Sequence, residues 1–471
     1  MSSYSRLGYF ALKEESAENT AVKPDVFVPL MSEDIVTEWG AVAATPVAGN
    51  RALNLRPVET AIAPPSGTVN ILIEPKTIGY FLKGVYGALS SGQLIKINTL
   101  SADFTVGETV TGGTSSVTAT VVATSSEGDY VLVSSASGDF TDGETITGGT
   151  SSSTAVVVDF ATTRYGHQFV APQSSLPTFT VEIGLGDEAY RYTGVRFNAL
   201  GSIAQSDNII TAALNMTARA EFKHARVTAV ESSGAGAHTI DVDQTTGLAA
   251  SDTIKVYRPG TGYLDFSASS VKTHTINAVT SETTFTITNL ETALAVGDLI
   301  VIAPQTPSYS VDSEFSWIGG SIATVANTIT SAVSASGDCI EDFELVVTNE
   351  IEGRHCANGT NVINRFPGKN LLKGLTGSGS LTRTYTDPTY LDRMRNSTPT
   401  AIYVKHEGGQ IGSTGLKFEL GWRTPLAIFQ AFNPSISEDD LLNQEMPFDM
   451  YDSEDDGYFH KAVLVNDVSS Y

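Results

Sequence analysis

The chain has 471 residues, of which 41% are hydrophobic and only 17% charged, with Thr, Ser, Gly, Val and Ala filling the space that charge usually takes. That length allows about three domains, and the apolar content excludes global disorder. Lys and Arg total 28 against 52 Asp and Glu, a net charge of −24, which excludes a protein that grips nucleic acid through its phosphates. Two readings of the charge stay open, a surface kept soluble and a surface that surrounds DNA without sticking to it.

Taken in chain order, the opening MSSYSRLGYFALKEES has no basic region followed by an apolar core. The chain is therefore expected to be made soluble in the cytoplasm, without a secretion signal or a membrane span. Residues 32–67 are rich in Pro, Gly and Ala with weak apolar spacing, and read as an extended arm or loop that leaves the core. Ile78, Phe81, Leu82, Val85 and Leu89 recur at helical spacing, which predicts one amphipathic helix over residues 76–89.

An internal repeat follows. Phe104-Thr-Val-Gly-Glu108-Thr-Val-Thr-Gly-Gly-Thr-Ser-Ser116 returns 36 residues later as Phe140-Thr-Asp-Gly-Glu144-Thr-Ile-Thr-Gly-Gly-Thr-Ser-Ser152. Each copy reads as a turn, a short alternating strand, a Gly-Gly turn and a second strand. Two copies are too few for a solenoid, so residues 93–165 form one small β domain. The GGTSS turns lack the Lys and following helix of a phosphate cradle, and turn chemistry explains them.

Residues 225–305 read as a second β module, with strands at 238–242, 253–257, 285–288 and 299–302 and turns at Gly247–Asp252 and Gly297-Asp298. The segments 219–225 before it and 309–315 after it look like strands of a host sheet, as expected of a domain inserted in a surface hairpin. Residues 1–92, 166–224 and 306–471 make up that discontinuous host. Its strands include 179–183, 190–199 and 209–217, and 386–395 is a second candidate helix with Asp387 as cap and Pro388 in the first turn. The expected fold class is mainly β: a barrel or sandwich core with one or two short helices, carrying two small inserted β domains.

No catalytic, cofactor-binding or metal-binding residue is assigned. His355-Cys356 with Glu350 and Glu352 lacks the paired spacing of metal ligands. Asp452–Gly457 resembles a calcium loop at first, but Val463 stands where an EF-hand needs its bidentate Glu. Ser437-Glu438-Asp439-Asp440 reads as a helix cap. Sequons at Asn215, Asn358 and Asn396 carry no meaning without secretion, and Cys339 and Cys356 imply no disulfide framework, with a single bridge left open. No hydrolase nucleophile has supporting context.

Several host segments, in order, resemble the tail-tube (major tail) proteins of long-tailed bacteriophages. They are Gly8–Glu15 leading to Asp25–Leu30 and Ser32–Asp34, Gly49–Arg51, Gly67–Ile73 with Pro75–Leu82, Tyr192–Asn198, Phe343–Asn349 with Gly353, Thr376–Leu381, Ile436–Asp440, Phe448 and Ala462–Asn466. The resemblance covers about two thirds of the chain, and the two modules depart from the family's minimal pattern. It implies a virion structural protein and not an enzyme: subunits in hexameric rings, stacked around a channel through which the genome passes without specific binding. Its partners would be ring neighbours and stacked rings, together with tail terminator, tape measure and tail-tip proteins, and no membrane. Residues 32–67 and the C-terminal tail are the candidates to bridge rings. The rival reading is a surface- or carbohydrate-binding β protein of the tail tip, with the two modules as its working parts.

Overall fold

A computed structural model describes residues 8–38, 41–44, 56–59, 62–171, 174–205, 209–264, 273–310, 314–335, 337, 339–355, 366–431, 433–435 and 443–471. The chain is mainly β. Twenty-nine strands join through antiparallel ladders into one network, and two more form a separate pair. The helices among the described residues are α1 (Ile78–Tyr86), α2 (Ile329–Ser334) and α3 (Thr389–Arg395), with one 3-10 turn at Trp317–Gly319.

The host ladder starts at Leu30–Glu33, which pairs with Ser66–Leu72, then Thr211–Thr217, then the second half of Ala189–Gln205. It continues through Ile340–Arg354, Lys369–Thr384, Asn443–Tyr451 and Lys417–Phe429, and ends at Thr400–Gln410 and Gly320–Ala326. Helix α1 packs against Ala189–Gln205, Ile340–Arg354 and the strand Thr154–Ala171, with Ile78, Phe81, Leu82 and Val85 fully buried. Phe81 meets Phe197 with ring centroids 5.2 Å apart. The helix is shorter than its apolar spacing predicts. Gly87 adopts φ 82 and its N–H returns to the Lys83 carbonyl at 2.8 Å, a left-handed residue that stops the helix. Leu89 consequently lies in the strand Ala88–Asn98.

Three further expectations change. Helix α3 begins at Thr389, preceded by Asp387, which accepts the Thr389 N–H at 2.8 Å. Hydrogen bonds from Thr389, side chain and backbone, hold the Asp387 carboxyl down to about 2. Residues 309–315 form no strand among the described positions; Phe315 bonds into the sheet, to Ile73 and Ile210. The arm region holds regular structure, because Ala41–Ala44 pairs antiparallel with Arg56–Glu59, a pair that joins no other strand among the described residues. Residues 437–440, read as a helix cap, lie outside the described residues.

The first module is a closed ring of six strands. Ala88–Asn98 pairs with Tyr130–Ser134, then Thr118–Thr124, Thr109–Gly112, Thr145–Gly148 and Thr154–Ala171, which returns to Ala88–Asn98. The first and last of these strands run on into the host, with register shifts at 157–159 and 160–165 where barrel becomes sheet. Its core holds Phe104, Val110, Val131, Phe140 and Ile146. The repeats explain one another. Glu108 accepts the N–H groups of Thr150 and Ser151, both at 2.8 Å, and the Ser151 hydroxyl at 2.6 Å. Glu144 does the same for Thr114 and Ser115, at 2.9, 2.9 and 2.7 Å. Each GGTSS turn is thus an anion nest filled by the carboxylate of the other repeat.

The second module uses the same device without a visible sequence repeat. Four acidic residues each accept the N–H three positions back: Glu108 from Thr105, Glu144 from Thr141, Asp252 from Ala249 and Asp298 from Ala295. The preceding residue is left-handed every time, with φ 88 at Gly107, 80 at Gly143, 68 at Ser251 and 97 at Gly297. Its N–H donates to a facing strand carbonyl, at Val121, Val157, Ile276 and Val227 respectively. The strands 225–226, 299–302, 253–258, 274–281, 284–290 and 234–241 follow one another, and a Val227–Val242 bridge closes the ring.

Burial would raise the Glu108 carboxyl, but its bonds from Ser151, Thr150 and Thr105 outweigh this and hold it down to about 2 from an ordinary 4.5. The stabilisation is complete above pH 4.5 and is lost as pH falls toward 2. Glu108→Ala is expected to cost about 2 kcal/mol in urea unfolding at pH 7, and to flatten the acid limb between those two values.

Candidate functional site

Two buried arginines of the host hold the two modules in place. Arg423 lies on Lys417–Phe429 and is 2% exposed. A sharp turn of the first module, with Gly128 at φ 72, brings Glu127 and Asp129 to it. The guanidinium donates to Glu127 at 2.6 Å and to the two oxygens of Asp129 at 3.1 and 2.6 Å. Its faces are covered by Tyr130 and Tyr403, both with centroids at 5.2 Å. Glu127 also accepts the Lys461 ammonium at 2.6 and 2.8 Å and the Tyr458 hydroxyl at 2.6 Å. Two cations meet two carboxylates, so the cluster is neutral. Burial alone would raise the Glu127 carboxyl; Arg423 and Lys461 reverse that and hold it far below the usual range.

Arg191 plays the same part for the second module. It is fully buried on Ala189–Gln205 and donates to Asp252 at 2.9 Å and to the Gly247 carbonyl at 2.8 Å. On its other side Arg191 bonds Glu182, at 3.2 Å through Nε. Gln305 donates to Glu182 at 3.0 Å and to the Tyr9 hydroxyl, which itself donates to Glu182. Burial raises the Asp252 carboxyl, against the pull of Arg191.

A cleft of about 360 Å³ opens where the first module meets the host, lined by Lys96, Tyr403, Lys405, Glu419 and Arg423 among others. Its charges are internally matched: Lys96 pairs with Glu419, and Lys405 with Glu407 at 2.7 Å. Three histidines, His167, His406 and His460, are also fully buried. Burial drives His167 and His406 down to about 4 and His460 to about 3, so all three are neutral near pH 7. His460 stacks between Tyr86 and Trp422, at 5.6 and 6.2 Å.

The residues weighed for metal binding do not converge. Glu352 is ion-paired with Arg354 and Lys373, His355 is exposed, and Cys356 lies outside the described residues, as does any pairing with the exposed Cys339. No group of three or more His, Cys, Asp or Glu suited to a metal occurs among the described residues. Asp452–Gly457 is a tight turn closed on itself, where Ser453 Oγ donates to Asp456 at 2.6 Å and Gly457 has φ 74. Among the described residues no helix is long and apolar enough to cross a membrane.

Sequence reasoning passed over both arginine clusters. The available signal was a charge set inside an otherwise apolar strand: Arg423 after Leu420-Gly421-Trp422, Arg191 between Tyr190 and Tyr192, Lys461 before Ala462–Val465. Compared with known proteins, the chain matches no protein-family model and no curated protein.

Truncating one partner of a buried ion pair strands the others. Arg423→Ala is therefore expected to lower stability by about 3–5 kcal/mol in denaturant melts, whereas Lys13→Ala, at the exposed Lys13–Asp25 pair, leaves the melt unchanged. The histidines add an acid limb. Their stabilisation is present above about pH 6.5 and is lost as pH falls through 4 to 3.

Proposed function

We propose that this chain is the repeating subunit of a tube wall, a tail-tube protein of the long-tailed bacteriophage kind, and that it carries no catalytic activity. Subunits join edge to edge into rings, hexameric in the resembled family, and the rings stack into the virion tail. One observation carries the reading. Both modules close their own strand edges, while the host sheet leaves Leu30–Glu33 and Gly320–Ala326 each with a single strand neighbour among the described residues. Beside the first of these edges Met31 and Val36 are 57% and 59% exposed. Exposed edges are templates for a further strand, and two different edges on one subunit give the heterologous contact that closes a ring.

The net charge of −24 suits a bore that lets DNA slide, because like charges repel phosphates and offer no site to hold them. The pair Ala41–Ala44 with Arg56–Glu59 joins no other strand among the described residues, which suits an arm that reaches a second subunit. Tail terminator, tape-measure and tail-tip proteins would be the chain's other partners.

Replacing residues 41–59 by a short Gly-Ser linker tests the arm. The exchange keeps the Val36–Ser66 bridge and the buried Ile62. The variant is expected to melt like the unaltered chain yet sediment as a monomer where the unaltered chain sediments as polymer. Polymerisation equal to that of the unaltered chain contradicts the arm's role.

A further inference from the structure

A second cleft, of about 530 Å³, opens at the seam between the second module and the host, a size suited to a small ligand. Lys23 and Phe27 line it from the host, Thr253, Lys255 and Thr273 from the module, and Gln305 and Thr306 from the segment that joins the two.

Its two lysines are unusual for this chain. Acidic residues outnumber basic ones, 52 to 28, and among the described residues every other lysine except Lys369 is ion-paired. Lys23 and Lys255 join no ion pair there. Each reaches across the seam to a backbone carbonyl instead, Lys23 to Ser251 at 2.9 Å and Lys255 to Asp187 at 2.7 Å. These bonds fix where the ammonium groups stand. They use one of three N–H donors on each, so two donors and the charge are left over on either side. Both lysines are half-buried, where a charge without a counter-ion is costlier than on open surface.

The carboxylates around the cleft are engaged elsewhere. Asp252 is bonded to Arg191, Glu182 to Arg191, Gln305 and Tyr9, and Glu188 accepts the Tyr263 hydroxyl. The hydroxyls of Thr253, Thr273 and Thr306 make no hydrogen bond among the described residues. Phe27 adds a half-buried apolar ring, held edge-to-face by Tyr9 and Tyr309 with centroids at 5.6 and 6.5 Å. The lining therefore offers two cationic donors, three free hydroxyls and one aromatic ring. That set matches a hydroxylated ring bearing an oxyanion, which the lysines hold by charge-assisted hydrogen bonds.

We propose that this cleft binds a small acidic sugar, one that carries a phosphate or a carboxylate. Lys23 and Lys255 take the oxyanion, the threonines meet the sugar hydroxyls, and Phe27 receives the apolar side of the ring. Because one lysine belongs to the host and the other to the module, the ligand also ties the two together. Such binding is independent of self-assembly.

Isothermal titration of the full chain tests this with glucose 6-phosphate, glucuronate, galacturonate, glucose and inorganic phosphate. At least one acidic sugar is expected to bind at a single site, and whether it is the phosphate or a uronate identifies the oxyanion. Glucose and inorganic phosphate are each expected to bind at least about tenfold more weakly. Lys23→Gln with Lys255→Gln is expected to weaken the acidic sugar at least about tenfold. Because these lysines also brace the seam, Thr306→Val serves as a second variant; it is exposed and makes no bond to either lysine, and an affinity loss of about threefold is expected. No binding of any acidic sugar, inorganic phosphate or glucose binding as tightly as the best of them, or unchanged affinity in both variants overturns the site.

Discussion

A β-strand carries hydrogen-bonding groups along both edges, and each edge has to be paired, covered or shared with another chain. This constraint organises the whole molecule. The two modules meet it by closure: the first through the return of Thr154–Ala171 to Ala88–Asn98, the second through the Val227–Val242 bridge. The host meets it only in part. Its ladder runs from Leu30–Glu33 to Gly320–Ala326 and wraps helix α1 without the two end strands pairing with each other. The edges left over are where the proposed subunit contacts fall.

Closure of the modules also demands that their turns be satisfied internally. The four acidic turns do this with one local geometry, a carboxylate bonding back three residues across a left-handed position. Seating the closed barrels on the host is a separate problem, since smooth barrels offer few directional contacts. Arg423 and Arg191 supply direction: each threads a planar set of donors into carboxylates presented by a module turn. Buried ion pairs of this kind add little net stability but penalise any misplaced docking. They act as registration points rather than as glue.

How much of this was legible in the sequence depends on the range of the interaction. The mainly β class, the repeat at Phe104 and Phe140, and the buried face of α1 rest on local periodicity and were readable. The helix end at Gly87 was missed because Leu89 continues the helical spacing while its backbone has already turned into a strand. The kinship of the two modules was missed because backbone geometry is shared where side chains are not: Ser251 does at φ 68 what glycine does in the other three turns. The arginine clusters unite residues some 60 and 300 positions apart, Arg191 with Asp252 and Arg423 with Glu127, and no spacing rule reaches that far. A single charge in a buried strand was the only trace, and it names no partner. The tube reading stands on the resemblance of the ordered segments and on the open edges of the host sheet.

Its most direct test is negative-stain electron microscopy of the purified full chain at neutral pH and moderate salt. The open host edges and the unpaired arm predict rings or hollow rods of uniform width, with a stain-filled bore and knobs outside from the modules. A field of dispersed single particles at every concentration, or filaments with no channel, contradicts a tube wall.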